Sequence, residues 1–440
     1  MRFGFVNKKH IIWTILLCCI ILFSSCSSER SPSKASPGIL PTSTPTINNN
    51  DPAAPDMGDF KAIWISQYDL TQTYINPQTG LQAEQNIFTD NINKILSSIK
   101  ELGYNTIILQ IRPYADSMYP SEYYPMSEYV VGKYGNTVDY DPVEIIVREA
   151  HEMELDIHGW INPMRAMSVA KISKIDNQYK IRQWYEDENQ NGTYIVPYSG
   201  VYYLNPAYEE VRQLIIDGAT EALTKYQFDG LHMDDYFYPT TDENFDAKAY
   251  QEYKAGGGKL GLMEFRREAL NKLVSGLYVA TKAVNPDLIF GISPAGIITN
   301  VYDLHCADIY TWCSTYGYID YICPQVYFGL EHETYDFISV CNTFRDIIKT
   351  RSVNLVIGMT FGKAYSKTDN LAGSGQYEWQ QNNDVLARCL SYTKELTHCT
   401  GIAVFCYQYF YDTVSYAPVK ETAEEVANFV PLLHEISWNN

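Results

Sequence analysis

From Lys61 onward, short apolar runs alternate with longer stretches in which apolar residues recur every three or four positions. The short runs have the length and β-branched content of buried strands, whereas the longer stretches have the period of amphipathic helices. The predicted strands are 61–65, 105–112, 155–162, a fourth that begins the stretch 228–239, then 288–293, 321–327, 355–359 and 401–407. The predicted helices are 86–102, 142–153, 207–226, 262–284, 303–310, 335–349, 383–396 and 420–432.

This serial alternation of strands and helices predicts an α/β fold, a (β/α)8 TIM barrel, as a single domain over residues 58–440. The alternative is a doubly wound open sheet. The sequence has no glycine-rich first turn and no Walker loop, which favours the closed barrel. The largest polar loops, 113–141, 163–206 and 239–261, follow predicted strands at their carboxyl ends, where the active sites of such barrels lie.

The first part of the chain has a different composition. A basic start precedes the apolar run 11–23, which is too short for a comfortable membrane span, and Ser24-Ser25-Cys26 follows it. This order resembles a bacterial lipobox and predicts a lipoprotein signal peptide over 1–25, with a diacylglycerol on the Cys26 thiol. An ordinary signal peptide cut near Ser25 is the alternative. Residues 26–57 are rich in Ser, Pro, Thr and Asn, which predicts a disordered tether. The expected location is therefore the cell envelope, outside the cytoplasm and lipid-anchored to a membrane.

The amino-acid composition limits the classes of molecule that the protein is expected to bind. The net charge of -19 and the lack of a basic stripe argue against nucleic acid. The 37 tyrosines offer flat apolar faces with hydroxyl groups, which suit sugar binding. The barrel region has no C-x-x-C pair, so neither a disulfide framework nor a zinc ribbon is predicted, and no cofactor or metal is expected. Residues 187–192 match the first half of a calcium loop, although a hairpin turning at Asn191-Gly192 explains them as well.

The fourth strand carries the most distinctive chemistry. Because side chains alternate along a strand, Leu231 and Met233 should face the covering helices. His232 and Asp234 should then face the barrel interior or its mouth. Two adjacent carboxylates, Asp234 and Asp235, are costly to bury at the end of an apolar strand unless they have a role. Asp234 is therefore the first candidate for an essential carboxylate, and Asp235 is the second.

Other predicted strand ends are also polar or aromatic. Asp116, shortly after the second strand, is a possible carboxylate partner, with Arg112 holding its charge or binding substrate. The candidate substrate-binding residues are Arg112, Gln110, Trp160, Asn162, His232, Tyr236, Gln325, Tyr327 and Gln408. Aromatic rings that stack on sugar faces, amides that bind hydroxyls and carboxylates that transfer protons are together typical of a carbohydrate site.

These residues lie in motifs that resemble the glycosyl-hydrolase-like-10 family of bacterial envelope lipoproteins, and the resemblance covers nearly the whole barrel. The motifs are Gln110-Ile111-Arg112-Pro113, Gly159-Trp160-Ile161-Asn162-Pro163, Tyr203-Leu204-Asn205-Pro206, the stretch 228–239, and Pro324-Gln325-Val326-Tyr327. The resemblance implies a barrel glycosidase that acts on cell-wall glycan, in particular peptidoglycan strands stripped of stem peptides. Gln325 and Tyr327 also resemble a polar pair of chitinase-type barrels that assists an N-acetyl group.

Two other functions stay open on the sequence. Chitinase-type barrels carry a glutamic acid at the position of Tyr236, so a carbohydrate-binding lipoprotein without catalysis is one alternative. A metal-dependent polysaccharide deacetylase built around His232 and Asp234 is the other. For a hydrolase, two carboxyls about 5 Å apart would predict retention of the anomeric configuration, and about 6.5–9.5 Å would predict inversion.

Overall fold

The computed structural model of the protein describes residues 50–438. The predicted signal peptide, Cys26 and most of the predicted tether lie outside the described residues, and they stay predictions. Within residues 50–438, no helix combines the length and apolar character needed to cross a membrane.

Eight parallel strands form a closed barrel, which confirms the predicted (β/α)8 fold. Around the barrel, β1 pairs with β2, then β3, β7, β8, β9, β10 and β11, and β11 pairs again with β1. The strands are β1 Phe60–Ile65, β2 Thr106–Arg112, β3 Asp156–Ile161, β7 Gly230–Met233, β8 Ile289–Ile292, β9 Tyr321–Ile322, β10 Asn354–Thr360 and β11 Cys399–Phe405. Three further strands, β4 Arg165–Ser168, β5 Ile195–Tyr198 and β6 Val201–Leu204, lie outside the barrel.

Helices follow the barrel strands and cover the outside. The helices of four or more residues are Gln67–Tyr74, Gln85–Glu101, Glu128–Val131, Pro142–Glu152, Lys180–Glu186, Glu209–Lys225, Ala247–Ala255, Leu262–Val284, Ile309–Ser314, Phe337–Ile347, Gly362–Ser366, Glu378–Gln381, Val385–Thr393 and Ala423–Glu435, with a π-helix at Asn300–Leu304. Most predicted helices have their counterparts within a few residues. The exception is 303–310, where the chain forms the π-helix and a separate helix that begins after the N-cap Asp308.

The two faces of the barrel strands have different surroundings. Leu231 and Met233 pack outward against the helices, as strand parity predicts. The interior is filled mainly by aromatic and small side chains, among them Trp64, Trp160 and Tyr321. The end of β7 therefore emerges from a packed interior, and only the residues after Met233 reach the mouth.

Two local predictions are wrong. The sixth predicted strand continues as a regular strand only to Ile322, because Pro324 has no N–H for the ladder; beyond it, Gln325 makes isolated bridges to both neighbours. The predicted hairpin at Asn191-Gly192 is also absent. The chain instead turns at Ser199-Gly200, between β5 and β6, where both residues have positive φ.

The long segment after β3 folds as a small three-stranded antiparallel sheet, in the order β4, β6, β5. Its first residue, Arg165, pairs with Tyr203 of β6. The helix Lys180–Glu186 and buried side chains such as Trp184 and Ile195 give this insert its own apolar contacts. The segment is therefore a folded insert with regular secondary structure.

The end of the predicted tether is bound to the barrel. The backbone N–H of Ala54 donates to the Arg351 carbonyl at 2.8 Å, and the Asn354 side chain donates to the Pro55 carbonyl at 2.9 Å. Thr350 also donates to the Asp51 carboxylate at 2.7 Å. Residues 51–57, which the sequence predicted as part of a disordered tether, are thus held by hydrogen bonds to the segment that precedes β10.

Candidate active site

The carboxyl groups of Asp234 and Asp235 lie immediately after β7. Asp234 is buried, whereas Asp235 is partly exposed. The Oδ1 atom of Asp234 accepts the backbone N–H of Asp235 at 2.9 Å and the Nε2 group of Gln325 at 2.8 Å. No donor in residues 50–438 is hydrogen-bonded to its Oδ2 atom, which leaves one oxygen of this buried carboxyl for another partner.

The orientation of the Gln325 amide follows from its contacts. Its Nε2 group also donates to the Ser293 carbonyl at 3.2 Å, and a carbonyl can only accept. Both hydrogens of the amide nitrogen are therefore used, one on Ser293 and one on Asp234. The bridge that joins Gln325 to β10 and to the end of β8 fixes this side chain beside the acid pair.

Burial and the neighbouring Asp235 carboxyl raise the pKa of Asp234 well above its usual value. Burial also raises the pKa of Asp235, while the nearby His305 ring lowers it in part. The contact between the two carboxyls raises the pKa of Asp234 and lowers that of Asp235. The arrangement that follows is a neutral Asp234 beside an ionised Asp235, a division of roles suited to acid–base chemistry.

Aromatic side chains lie near the pair, and one of them, Tyr236, contacts an arginine. Tyr327, which is partly buried, stacks near Phe405 with ring centroids 6.1 Å apart, and it interacts electrostatically with Asp234. The Arg165 guanidinium lies 4.8 Å from the ring centroid of Tyr236 and 5.0 Å from that of Tyr114. The structure thus brings Tyr236, Gln325 and Tyr327, all predicted from the sequence, to the carboxyls of Asp234 and Asp235.

His232 lies below this group, in the barrel interior, and is fully buried. Trp64 Nε1 donates to its Nε2 atom at 3.3 Å, so its Nδ1 atom carries the hydrogen that points to the Tyr321 hydroxyl at 2.7 Å. Burial lowers the pKa of His232 well below its usual value, which keeps the ring neutral. The residue predicted to bind substrate is therefore engaged inside the barrel as a hydrogen-bonded core histidine.

Three more predicted binding residues form a buried layer at this level. Gln110 accepts the backbone N–H of Gln67 at 3.1 Å, and Trp160 donates to the Asn162 side chain at 3.0 Å. Asn162 in turn donates to the Pro113 carbonyl at 2.9 Å. Because these polar groups bond to other parts of the protein, Gln110, Trp160 and Asn162 connect the carboxyl ends of β2 and β3.

Arg112 is not part of this group, contrary to the sequence-based prediction. The register between β2 and β3 shifts after Gln110, so that Arg112 lies opposite Ile161, a residue of the outer face. A bulge of this kind places the following side chain on the other face of the strand. The Arg112 guanidinium instead donates to the Ile215 carbonyl at 3.3 Å and lies 4.8 Å from the Tyr124 ring centroid.

Asp116 is likewise not brought to the Asp234 carboxyl. It is fully buried in the loop after β2, where it accepts the Tyr114 N–H at 2.9 Å and the Tyr134 hydroxyl at 3.1 Å. The Ser127 side chain is a further donor. Its carboxyl is thus enclosed by donors of its own loop, and Arg112 does not hold its charge.

Gln408 lies in the short 3-10 helix after β11 and is half-buried. Its backbone N–H donates to Asp69 at 2.8 Å, and its side-chain amide lies 3.2 Å from the Cys406 sulfur. These contacts join the end of β11 to the segment after β1. They connect the segments that follow the first and last barrel strands at the carboxyl end of the barrel.

Two residues near the acid pair were not among the predicted site residues. His305 interacts with Asp235 from the far end of the π-helix, and its Nδ1 atom lies 3.0 Å from the Tyr238 carbonyl. Arg165 is the other. Asn162 ends the third predicted strand, and Arg165 follows it by three residues. This position close to a strand end was the sequence signal that could have identified Arg165, whereas no comparable signal pointed to His305.

Within residues 50–438, no group of three or more His, Cys, Asp or Glu side chains is arranged to hold a metal ion. In the 187–192 segment, Asp187 accepts the backbone N–H of Asn189 at 2.8 Å. The carboxylate thus caps its own turn.

Comparisons with known proteins agree with this architecture. A family model described as glycosyl hydrolase-like 10 matches residues 59–372. The chain is 31% identical to the glycosyl hydrolase YngK of Bacillus subtilis over 329 residues, which cover 71% of this chain and 62% of that protein. It is 28% identical to the glycosyl hydrolase DigH of Escherichia coli strain K12 over 387 residues, which cover 81% and 84% of the two chains.

Among solved structures, the catalytic domain of a β-amylase from Paenibacillus polymyxa is similar, with a TM-score of 0.51 and 10% identity. The match covers 86% of this chain and 99% of that domain. At this identity the likeness concerns the barrel fold alone. The chain spans less than two thirds of YngK, so the comparison with YngK concerns only part of that protein.

Proposed function

The chain belongs to the glycosyl hydrolase-like 10 family, a family of glycoside hydrolases, and from that premise we propose that it hydrolyses the glycan strands of the cell wall, with peptidoglycan as substrate. The observation that carries this proposal is the buried Asp234 beside the partly exposed Asp235 at the carboxyl end of β7. Barrel enzymes carry their catalytic residues at this face, and glycoside hydrolysis needs carboxyl groups in different protonation states.

Asp234 is the proton donor in this proposal. Its Oδ1 atom is occupied by the Asp235 N–H and by Gln325, so the proton resides on Oδ2. Its raised pKa favours the protonated form that a general acid requires. As the bond between the anomeric carbon and the bridging oxygen breaks, the Oδ2 proton passes to that oxygen. A water molecule then adds its oxygen to the anomeric carbon, and the proton that it releases restores the neutral Asp234.

Asp235 supports this step as the ionised partner. The contact between the two carboxyls favours a proton on Asp234, because it raises the pKa of Asp234 and lowers that of Asp235. The negative charge on Asp235 stabilises the positive charge that develops on the sugar. The two carboxyls are in direct contact. They are therefore closer than the two groups that flank a glycosidic bond in retaining or inverting enzymes, and this pair does not define the anomeric outcome.

The test uses glycan strands freed of stem peptides by an amidase. Wild-type protein should shorten these strands, and chromatography with mass spectrometry should identify the new ends. Strands that are bound but stay intact would instead support the carbohydrate-binding lipoprotein. Strands that lose acetyl groups without being shortened, in a reaction stopped by a chelator and restored by a divalent cation, would support the deacetylase.

We also propose that Cys26 carries a lipid and that the barrel works close to a membrane. The support is the order of a basic start, an apolar run and Ser24-Ser25-Cys26. Two acyl chains on one thiol would anchor the protein far more strongly than one. The wild type should fractionate with membranes, and Cys26→Ser should not mature to the acylated form. Recovery of the wild type in the soluble fraction, with a free amino terminus at Ser27 or later, would contradict the anchor.

A further inference from the structure

The Arg165 guanidinium lies over the ring of Tyr236, the residue that follows Asp235. The guanidinium makes no hydrogen bond and no ion pair with residues 50–438, and its Nε atom is buried with no acceptor. An arginine side chain carries five N–H donors and stays charged at all ordinary pH values. A buried donor without an acceptor, such as this Nε–H group, is costly, and a ligand bound at the guanidinium would supply the acceptor.

Other enclosed arginines within residues 50–438 differ from Arg165, because their guanidinium groups have hydrogen-bond acceptors. Arg266 is paired with Asp246, and Arg182 donates to Glu186. Arg112 and Arg212 each donate to backbone carbonyls. Each of these guanidiniums has an acceptor of its own, whereas the contacts of Arg165 are aromatic.

The surroundings of Arg165 hold the guanidinium at the mouth. The rings of Tyr114 and Tyr236 lie within about 5 Å of it, and the Tyr68 and Tyr114 hydroxyls are hydrogen-bonded at 2.7 Å. Tyr236 directly follows Asp235 in the chain. Aromatic faces stabilise a cation without using its N–H groups. The mouth therefore presents a positioned positive charge, with a buried Nε donor that has no acceptor in residues 50–438, against the residue that follows the two carboxyls.

We infer that Arg165 binds a carboxylate carried by the substrate sugar, and that this contact selects an acidic glycan over a neutral one. The inference rests on the proposed function and deepens it. In a peptidoglycan strand the matching group is the lactyl ether carboxylate, which is free only where the stem peptide has been removed. A planar guanidinium can bind a carboxylate with two parallel hydrogen bonds, a geometry that hydroxyl groups do not match.

The experiment compares two forms of one substrate. Amidase-treated glycan strands carry the free carboxylate, and the same strands coupled to methylamine carry a neutral amide. Binding is measured by calorimetry with the full chain in an Asp234→Asn background, so that it does not depend on turnover. Cleavage is measured separately with Asp234 intact. The variants are Arg165→Gln, Arg165→Lys and, as matched control, Arg182→Gln, which removes an arginine of the same insert that already has a carboxylate partner.

We expect the protein with Arg165 to bind the free-acid strands about 10- to 100-fold more tightly than the amide strands, the range expected for a charged hydrogen-bonded contact. Arg165→Gln should bind both forms equally and weakly, Arg165→Lys should keep part of the preference, and Arg182→Gln should keep all of it. A preference that survives in Arg165→Gln, or equal binding of both strands by the parent protein, would overturn the inference.

The two proposals fail in different ways. Cleavage of both strand forms without an effect of Arg165 on the preference would leave the hydrolase intact and remove this role of Arg165. A preference in binding that depends on Arg165, without cleavage by any form, would support the carboxylate site on a protein that binds glycan and does not hydrolyse it.

Discussion

Two buried carboxyls near the carboxyl ends of barrel strands, Asp116 after β2 and Asp234 after β7, have opposite surroundings. Burial raises the pKa of both. Donors of the loop after β2 enclose Asp116, among them the Tyr134 hydroxyl and the Tyr114 N–H. Asp234 has donors on one oxygen only, and its neighbour is another carboxyl. A raised pKa therefore does not identify a reactive group by itself, whereas an oxygen left free beside a second titratable group does.

The largest expected effect separates the two residues directly. Asp234→Asn should keep the fold and lower the turnover of glycan strands about 10²- to 10⁴-fold, the usual contribution of a general acid. Asp116→Asn should keep most of the turnover per folded molecule, because its carboxyl binds its own loop. Circular dichroism confirms folding, and kinetics on amidase-treated strands gives turnover. A folded Asp116→Asn protein without activity would break the comparison.

The loop after β7 is stabilised by a buried ion pair, whereas the loop after β2 is stabilised by hydrogen bonds to the Asp116 carboxyl. Arg266 and Asp246 are both fully enclosed, with 2.6 Å between Nη2 and Oδ1, and Arg266 also donates to the Asp242 carbonyl at 2.7 Å. Asp246→Ala leaves the guanidinium unpaired and should lower the free energy of unfolding by about 3–5 kcal/mol. Urea titration measures it. The double variant with Arg266→Leu should lose less than Asp246→Ala alone, and an equal or larger loss would argue against a cost of unpaired charge.

The pH profile of cleavage should report the coupled carboxyls. Since the pKa of Asp235 is raised above its ordinary value of 3.8, its ionised form should be lost on acidification above that pH. The acid limb of kcat/KM should therefore have its midpoint above 3.8. On the alkaline side, activity should persist until Asp234 loses its proton, well above the usual range for an aspartic acid. An acid limb at or below 3.8 would mean that burial does not raise the pKa of Asp235.

The smallest expected effect concerns one hydrogen bond to Asp116. Tyr134→Phe removes the donor at 3.1 Å and should cost about 1 kcal/mol of stability, with turnover unchanged. Folding raises the pKa of Asp116, so its stabilising contribution is greatest below the unfolded value near 3.9 and falls as pH rises towards the folded value. Removing a donor from the carboxylate should raise the folded pKa further, so that the fall becomes larger and extends to higher pH. Denaturant titrations between pH 4 and 8 measure it, and a change in turnover would contradict a purely local role.

The fold was largely predictable because it depends on periodicity. Helix 262–284 has the predicted bounds, since its apolar face repeats without interruption. The sixth strand and the helix at 303–310 were less accurate, because a proline and a π-helix interrupt local patterns there. The insert β4–β6 was predicted only as a polar loop. Its short strands gain their stability from contacts with one another, which no single window of sequence shows.

For the site, the sequence by itself determined that Asp234 and His232 share a face of the fourth barrel strand, since side chains alternate along a strand. It did not determine which groups surround them. A shift in strand register places the Arg112 side chain on the outer face of the barrel. Arg165, in the insert after β3, lies at the mouth instead. These positions depend on contacts between segments far apart in the chain. Only the tertiary structure decides which arginine lies against Tyr236, the residue after the two carboxyls.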